Sequence, residues 1–226
     1  MTPAGEKGKP VRLYSYYRSS TSYRMRIALN LKGLDYEIVP VNLLKSEQTA
    51  PEFSAQNPYA TVPMLDAFGR KRAQSMAMLE WLDEACGGPA LLPADIEQRF
   101  TVRELAYAIA TELHAPLNMP VLQYLKTQLG HDQEAVDIWY RHWLKKTLVP
   151  VEYRLSQLDT GDFLMAEPGL FEAVLIPQLY NARRFNFDLG DMPCMTRIES
   201  ACQTLDAFQR AHPDHQPDNP EKETAL

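Results

Sequence analysis

The stretch Tyr17-Arg18-Ser19-Ser20-Thr21-Ser22-Tyr23-Arg24 decides the fold, because it separates two patterns of different period. Before it, Val11, Leu13, Tyr14 and Tyr16 form a short apolar run that reads as a buried strand; after it, Met25, Ile27, Ala28 and Leu31 recur at helical spacing. A strand that ends in clustered hydroxyls and then opens a helix aims several O–H groups and unpaired backbone N–H groups at one point, where an anion is stabilised. Capping alone also accounts for serine and threonine there, so these residues leave two roles open: a plain helix cap, or a cap that also holds an anion.

Working outward, Tyr23 to Lys32 reads as a helix closed by Gly33, and Tyr36 to Val41 as a second strand, which together make a β-α-β unit. Ser46 to Gln56 is polar and reads as loop with a helical turn, and Asn57-Pro58 marks a turn. In Thr61-Val62-Pro63-Met64-Leu65-Asp66 the proline stands at the very start of an apolar run, where a strand tolerates it. Ala67 to Arg70 turns the chain, Lys71 to Ala73 returns as a short strand, and Gln74 to Cys86 is a helix ended by Gly87-Gly88.

From Gly87 to Asp95 the chain is punctuated by Gly and Pro and reads as a domain boundary; beyond it every periodic segment is helical. Helices are expected over Ile96 to Leu113, Val121 to Gly130, Asp132 to Leu158, Pro168 to Phe185 and Cys194 to His212. His114 to Pro120 interrupts the series with two prolines, and Pro150 is expected to kink or split its helix. The predicted fold class is therefore an α/β domain over residues 11–88 followed by an all-α domain over 96–212, with residues 1–10 and 213–226 as flexible termini.

The chain has 226 residues, 45% hydrophobic and 23% charged, enough for a substantial core. A formal net charge of −6 without a sustained basic run argues against nucleic acid as a partner, so any anionic ligand has to meet local arginines. Cys86, Cys194 and Cys202 form neither an even disulfide framework nor a C-x-x-C pair, which fits a reducing, cytoplasmic setting and predicts no metal site. No stretch approaches 18 consecutive apolar residues and the first ten residues carry no apolar signal core, so no membrane association is expected.

A β-α-β-β-β-α domain with a hydroxyl cluster at its first helix, followed by a helical domain, resembles the glutathione transferases. Ser19-Ser20-Thr21-Ser22-Tyr23-Arg24-Met25-Arg26-Ile27-Ala28-Leu29 is similar to the zeta-class signature Ser-Ser-Cys-x-Trp-Arg-Val-Arg-Ile-Ala-Leu. Asn57-Pro58, Val62-Pro63-Met64-Leu65 and Gln74-Ser75 match that class again, as does Leu175-Ile176-Pro177-Gln178-Leu179-Tyr180-Asn181-Ala182-Arg183-Arg184-Phe185. The resemblance spans residues 11 to 212 and implies a thioredoxin-like first domain, glutathione as cofactor and a homodimer.

What the resemblance implies chemically is a glutathione-dependent cis–trans isomerase of maleylpyruvate or maleylacetoacetate, a small dicarboxylate or keto-acid substrate. A thiolate adds to the maleyl double bond, the resulting single bond rotates, and expulsion of sulfur restores a trans alkene. A thiol of ordinary pKa is only about 3% ionised at pH 7, and lowering it by ~2 units, worth about 2.7 kcal/mol, makes it mostly thiolate. Ser19, then Ser20 and Thr21, are the residues the resemblance places on the sulfur, with the helix N-terminus behind them. Val62 and a cis Pro63 are expected to pair with the cysteinyl backbone, Gln74 and Ser75 to receive the γ-glutamyl carboxylate, and Gln48 to reach the glycyl end. Arg18, His114, Asn118 and Arg184 are the expected substrate ligands, with Arg183 turned to solvent. Arg24 and Arg26, inside the first helix, are expected to form structural ion pairs.

Four departures from the class pattern stand out. Thr21 replaces a cysteine common in relatives, so the nucleophile is left to glutathione alone. Leu117 stands where an amide is common, Pro120 where some relatives carry a basic residue, and Gly169 with Glu172 replaces a Ser/Thr-x-x-Asp capping box. Two other activities fit the same motifs: a general glutathione transferase conjugating small electrophiles, and a non-catalytic glutathione-binding protein.

Overall fold

The computed structural model describes residues 10–220. The expected flexible residues 1–9 and 221–226 lie outside the described residues. The chain forms two compact units, one running to Leu92 and completed by the segment from Gln203 onward, the other comprising Pro93–Cys202. The segment after Gln203 thus belongs with the α/β unit, not with the helical domain expected to reach residue 212.

In the first unit β1 (Arg12–Ser15), α1 (Ser20–Leu31), β2 (Glu37–Pro40), the short α2 (Pro51–Ser54), β3 (Met64–Ala67), β4 (Arg70–Ala73) and α3 (Ser75–Ala85) follow in order. The sheet order is β2-β1-β3-β4, with β1 parallel to β2 and antiparallel to β3, and β3 antiparallel to β4. That is the mixed sheet the β-α-β then β-β-α pattern requires. Leu13, Met25, Ile27, Leu29, Met64, Leu65, Met78, Leu79 and Leu82 are almost wholly buried and form its core. The left-handed Gly33 (φ 65°) closes α1, as the sequence predicts.

Helix α1 starts at Ser20, three residues earlier than periodicity alone suggests, because Ser19 in extended conformation caps it with its side chain. The hydroxyl cluster therefore forms the first helical turn and does not lie in a loop before it.

The second unit contains α4 (Ile96–Tyr107), a π-helical turn (Ala108–Leu113), α5 (His114–Leu117), α6 (Met119–Thr127), α7 (Gln133–Ser156), α8 (Leu170–Arg184) and α9 (Pro193–Gln203). Its core includes Leu105, Ile109, Leu144, Leu148, Leu155, Phe171, Leu175, Leu179 and Ile198. Pro150 neither splits nor ends α7, which runs unbroken over 24 residues. Pro177 likewise sits inside α8.

The expected single helix from Cys194 to His212 is instead two, α9 and α10 (Asp206–Ala211), the latter belonging to the first unit. The expectation that residues 213 onward fray is also overturned as far as Pro220. Pro213 to His215 form a 3-10 turn, and Pro213, Gln216 and Asn219 are buried.

No helix among the described residues is long and apolar enough to cross a membrane, and none of their His, Cys, Asp or Glu side chains gather in groups of three or more that could hold a metal ion.

Candidate active site

At the mouth of α1, Ser19 Oγ accepts from the Ser22 N–H at 3.2 Å and the Ser19 N–H donates to the Tyr16 carbonyl at 3.0 Å. Ser19 Oγ also lies 2.9 Å from Thr21 Oγ1, and Thr21 in turn donates to the Val62 carbonyl at 3.0 Å. A hydroxyl has one proton, so when Thr21 gives its own to Val62 the shared contact is made by the Ser19 O–H. Capping and anion binding are therefore compatible: the cap uses a lone pair of Ser19 and leaves its proton for a partner that an incoming anion can replace. Ser20 is buried in the same first turn. The Arg18 guanidinium lies 5.2 Å from the centre of the Tyr17 ring.

Two loops complete this side. Asn57, almost wholly buried, donates through Nδ2 to the Thr61 carbonyl at 2.7 Å and accepts from the Tyr59 N–H at 3.2 Å. This Asx geometry fixes the approach to Val62, whose bond to Pro63 is cis. Gln74 sits at the N-terminus of α3 with φ 70° and ψ 101°, a backbone that a side-chain-bearing residue adopts at a cost of about 1–3 kcal/mol and that recurs where ligands are held. Ser75 opens the helix and is buried.

Beneath Ser75 lies Arg24, 1% exposed, whose Nη1 donates to Ser75 Oγ at 3.3 Å. Its Nε and Nη2 have no hydrogen-bond partner among the described residues, and burial lowers its pKa to about 10, so it remains a cation at neutral pH. The ion pair expected for Arg24 is not formed among the described residues. Gln48 occupies a 3-10 turn (Glu47–Thr49), half-buried, with Oε1 likewise unpartnered.

In the helical unit, His114 follows the π-helical turn and opens α5; such turns shift a helix's register by a residue and are frequent at functional positions. Asn118 caps α6 by accepting from the Val121 N–H at 3.2 Å, which leaves its side-chain NH2 outside the cap. Arg183 is solvent-exposed, as expected, and its guanidinium also makes a bidentate pair with Glu199 on α9, whose hydrogen bond raises the arginine's pKa. Arg184 is exposed, with a 3.4 Å contact to Asn181 on its own helix. The buried Tyr140 stacks on Phe185 with ring centres 3.5 Å apart; burial pushes its phenol pKa up, and the Arg184 charge opposes that rise.

Residues 9–84 match the family described as glutathione S-transferase, N-terminal domain. The chain is 40% identical over 215 residues to maleylpyruvate isomerase of a Ralstonia species, covering 92% of this chain and 100% of that protein. The chain belongs to the zeta-class glutathione transferase family. Among solved structures it is similar to a holo maleylpyruvate isomerase described as a bacterial zeta-class glutathione transferase, with TM-score 0.89, 41% identity, and coverage of 92% and 99%. It is also similar to the maleylacetoacetate isomerase of Anaeromyxobacter dehalogenans with glutathione bound in the active site, with TM-score 0.83, 41% identity, and coverage of 93% and 98%.

The residues present fit the zeta-class cofactor. A tripeptide with a carboxylate at each end and a thiol between needs anion donors at separated points, and the Arg24 cation under Ser75, unpaired among the described residues, and the rotatable Ser19 proton are two groups able to act as such donors. The class departures also find places here. Leu117, which replaces an amide, is buried. Gly169 is capped from within its own helix, because the buried Glu172 carboxylate accepts from the N–H groups of Gly169 and Leu164, both at 2.8 Å.

Sequence reasoning assigned no site role to Arg24, Arg26 or Asp218. Arg26 is fully buried and donates to the Ala211 carbonyl (2.8 Å), Ser15 Oγ (3.1 Å) and the Tyr17 carbonyl (2.9 Å). Two arginines within the apolar run of the first helix, which is buried all round from Ser22 to Leu29, were the available signal, since such groups are buried only when the fold has a use for them.

Proposed function

We propose that this protein is a glutathione-dependent cis–trans isomerase that converts maleylpyruvate or maleylacetoacetate into its fumaryl isomer. The observation that carries this reading is the hydroxyl chain from Ser19 through Thr21 to Val62 at the mouth of α1, in a chain whose relatives bear those two names. Bound there, glutathione supplies a thiolate that adds reversibly to the cis double bond and is released unchanged.

The chain's own residues do the rest. Ser19 turns its proton from Thr21 to the sulfur, and the N-terminus of α1 adds the positive end of its dipole. Thr21 keeps its bond to Val62, holding cap and loop together, and Ser20 packs the turn. Val62, with Pro63, presents backbone to the tripeptide; Ser75 and Gln74 take the γ-glutamyl carboxylate, and Gln48 the glycyl end. Arg18 and Arg184 are assigned to the substrate's carboxylates, with His114 and the side-chain NH2 of Asn118 as further donors. With threonine at position 21 and no cysteine in the cluster, the chain offers no second sulfur nucleophile there. The protein acts as a homodimer in the cytoplasm.

The test is a spectrophotometric assay of both maleyl substrates with and without glutathione. One substrate is turned over only when glutathione is present; turnover of neither, with glutathione bound, would make this a binding protein.

A further inference from the structure

The C-terminal segment ends its described course beside the active-site turn. Arg26 holds the Ala211 carbonyl at the end of α10, and Gln216 Nε2 donates to the carbonyls of Arg210 and His212, both at 2.8 Å. With Pro213 and Asn219 also buried, this anchors the segment on α1 and α10. Asp218 then accepts from the Tyr17 N–H at 2.8 Å, across 201 residues of sequence.

Tyr17 is thereby gripped at both of its peptide groups: its N–H by the Asp218 carboxylate and its carbonyl by Arg26 Nη2 at 2.9 Å. Its ring packs edge-on against Tyr16 and lies under the Arg18 guanidinium. The next turn of chain, closed by the Ser19 N–H to Tyr16 carbonyl bond, carries the two groups assigned above to substrate and sulfur. We infer that Asp218 is a positioning residue for the active site: with Arg26 it clamps Tyr17, and through Tyr17 it sets where Arg18 and the Ser19 hydroxyl stand.

A backbone N–H donating to a carboxylate is a charge-assisted bond, stronger than a neutral one, and suits a fixed point better than a mobile tail. Asp218 Oδ1 is buried without a hydrogen-bond partner among the described residues, a cost that a merely decorative tail would shed by turning the group to water. Burial raises the Asp218 pKa while the Tyr17 N–H and the Arg26 charge pull it back, as expected of a carboxylate held in place by these two residues.

The inference rests on the reading of Ser19 as the sulfur's donor, so the experiment pairs two substitutions. Amide exchange at Tyr17 is measured in the ligand-free protein, and the pKa of bound glutathione is measured by thiolate absorbance. Asp218→Ala is expected to speed Tyr17 exchange roughly tenfold, to raise the bound thiol's pKa by about half a unit, and to raise KM for the dicarboxylate, while glutathione binding at neutral pH weakens by no more than the roughly threefold that half a unit allows. Asp218→Asn keeps an acceptor and returns these values toward native. Asp218→Ser, too short to reach, repeats the loss and serves if the alanine variant does not fold.

Ser19→Gly keeps the helix cap to within a few tenths of a kcal/mol and removes the hydroxyl. If it raises the thiol pKa and Asp218→Ala does not, the clamp is wrong and the site reading stands. If it leaves the thiol pKa unchanged, the site reading itself falls. A lowered melting temperature for Asp218→Ala with native Tyr17 exchange and thiol pKa would reduce the segment to a structural brace and overturn the inference.

Discussion

Thr21 Oγ1 donates to the Val62 carbonyl at 3.0 Å while standing 2.9 Å from Ser19 Oγ, so one threonine joins the cap of α1 to the loop proposed above to bind the tripeptide. Thr21→Val keeps the volume and removes both contacts. It leaves the buried Val62 carbonyl without this partner, a loss of about 1–3 kcal/mol, and is expected to weaken glutathione about five- to tenfold by calorimetric titration. Thr21→Ser retains the hydroxyl and should bind within about twofold of the native protein.

Arg24 is a buried cation whose side chain, among the described residues, donates a hydrogen bond to Ser75 and to no other group. Such a charge costs stability, and replacing it by an apolar side chain of similar length is neutral or stabilising. Arg24→Met should therefore raise the melting temperature of the ligand-free protein by a few degrees, on the order of 1 kcal/mol, while weakening glutathione about tenfold. Cysteinylglycine, which lacks the γ-glutamyl carboxylate, should bind native and variant protein alike; a parallel loss for both ligands would place the role of Arg24 elsewhere.

Arg183 and Arg184 are adjacent, yet Glu199 engages only Arg183. Arg184→Ala should raise KM for the dicarboxylate roughly tenfold, the order of one charge-assisted hydrogen bond, with glutathione binding unchanged. Arg183→Ala should instead lower thermal stability by under about 1 kcal/mol, since the arginine end of its pair is exposed. An equal loss of substrate and glutathione binding in Arg184→Ala would remove this residue from the substrate's carboxylate.

Glu172 replaces a shorter capping residue and is wholly buried, which raises its pKa above 4.5 despite two N–H donors. Between its unfolded value and this raised one the folded chain binds the proton more tightly than the unfolded chain. That contribution makes stability fall as pH rises through the interval above about 4.5. Glu172→Gln removes that slope. Because an amide presents its NH2 to one of the two donors, the variant should also lose about 1–3 kcal/mol at every pH, read as a lower urea midpoint.

The residues that could be read in the sequence were those whose role is local. The Gly33 stop, the proline at the head of β3, the Asn57-Pro58 turn and the hydroxyl cluster each act through their own neighbours, and periodicity located the helices around them. What escaped depends on contacts distant in sequence. Nothing near Asp218 signals that it will meet Tyr17, and prolines at 213, 217 and 220 read as a fraying tail where the structure instead buries Pro213, Gln216 and Asn219. The π-helical turn before His114 has no sequence signature, and Pro150 stays inside α7 where local rules predict a break. Arg24 was placed correctly in its helix and given the wrong partner, because an ion pair is the usual compensation for a buried charge and here Ser75 stands in its place.

The central claim, that the thiol acts and is recovered, is tested most directly by following substrate and glutathione in the same reaction. With glutathione limiting, the account predicts many equivalents of maleyl substrate converted to the fumaryl isomer while free thiol stays constant. Loss of one thiol per substrate consumed would make the protein a conjugating transferase, and turnover that persists without glutathione would contradict the mechanism altogether.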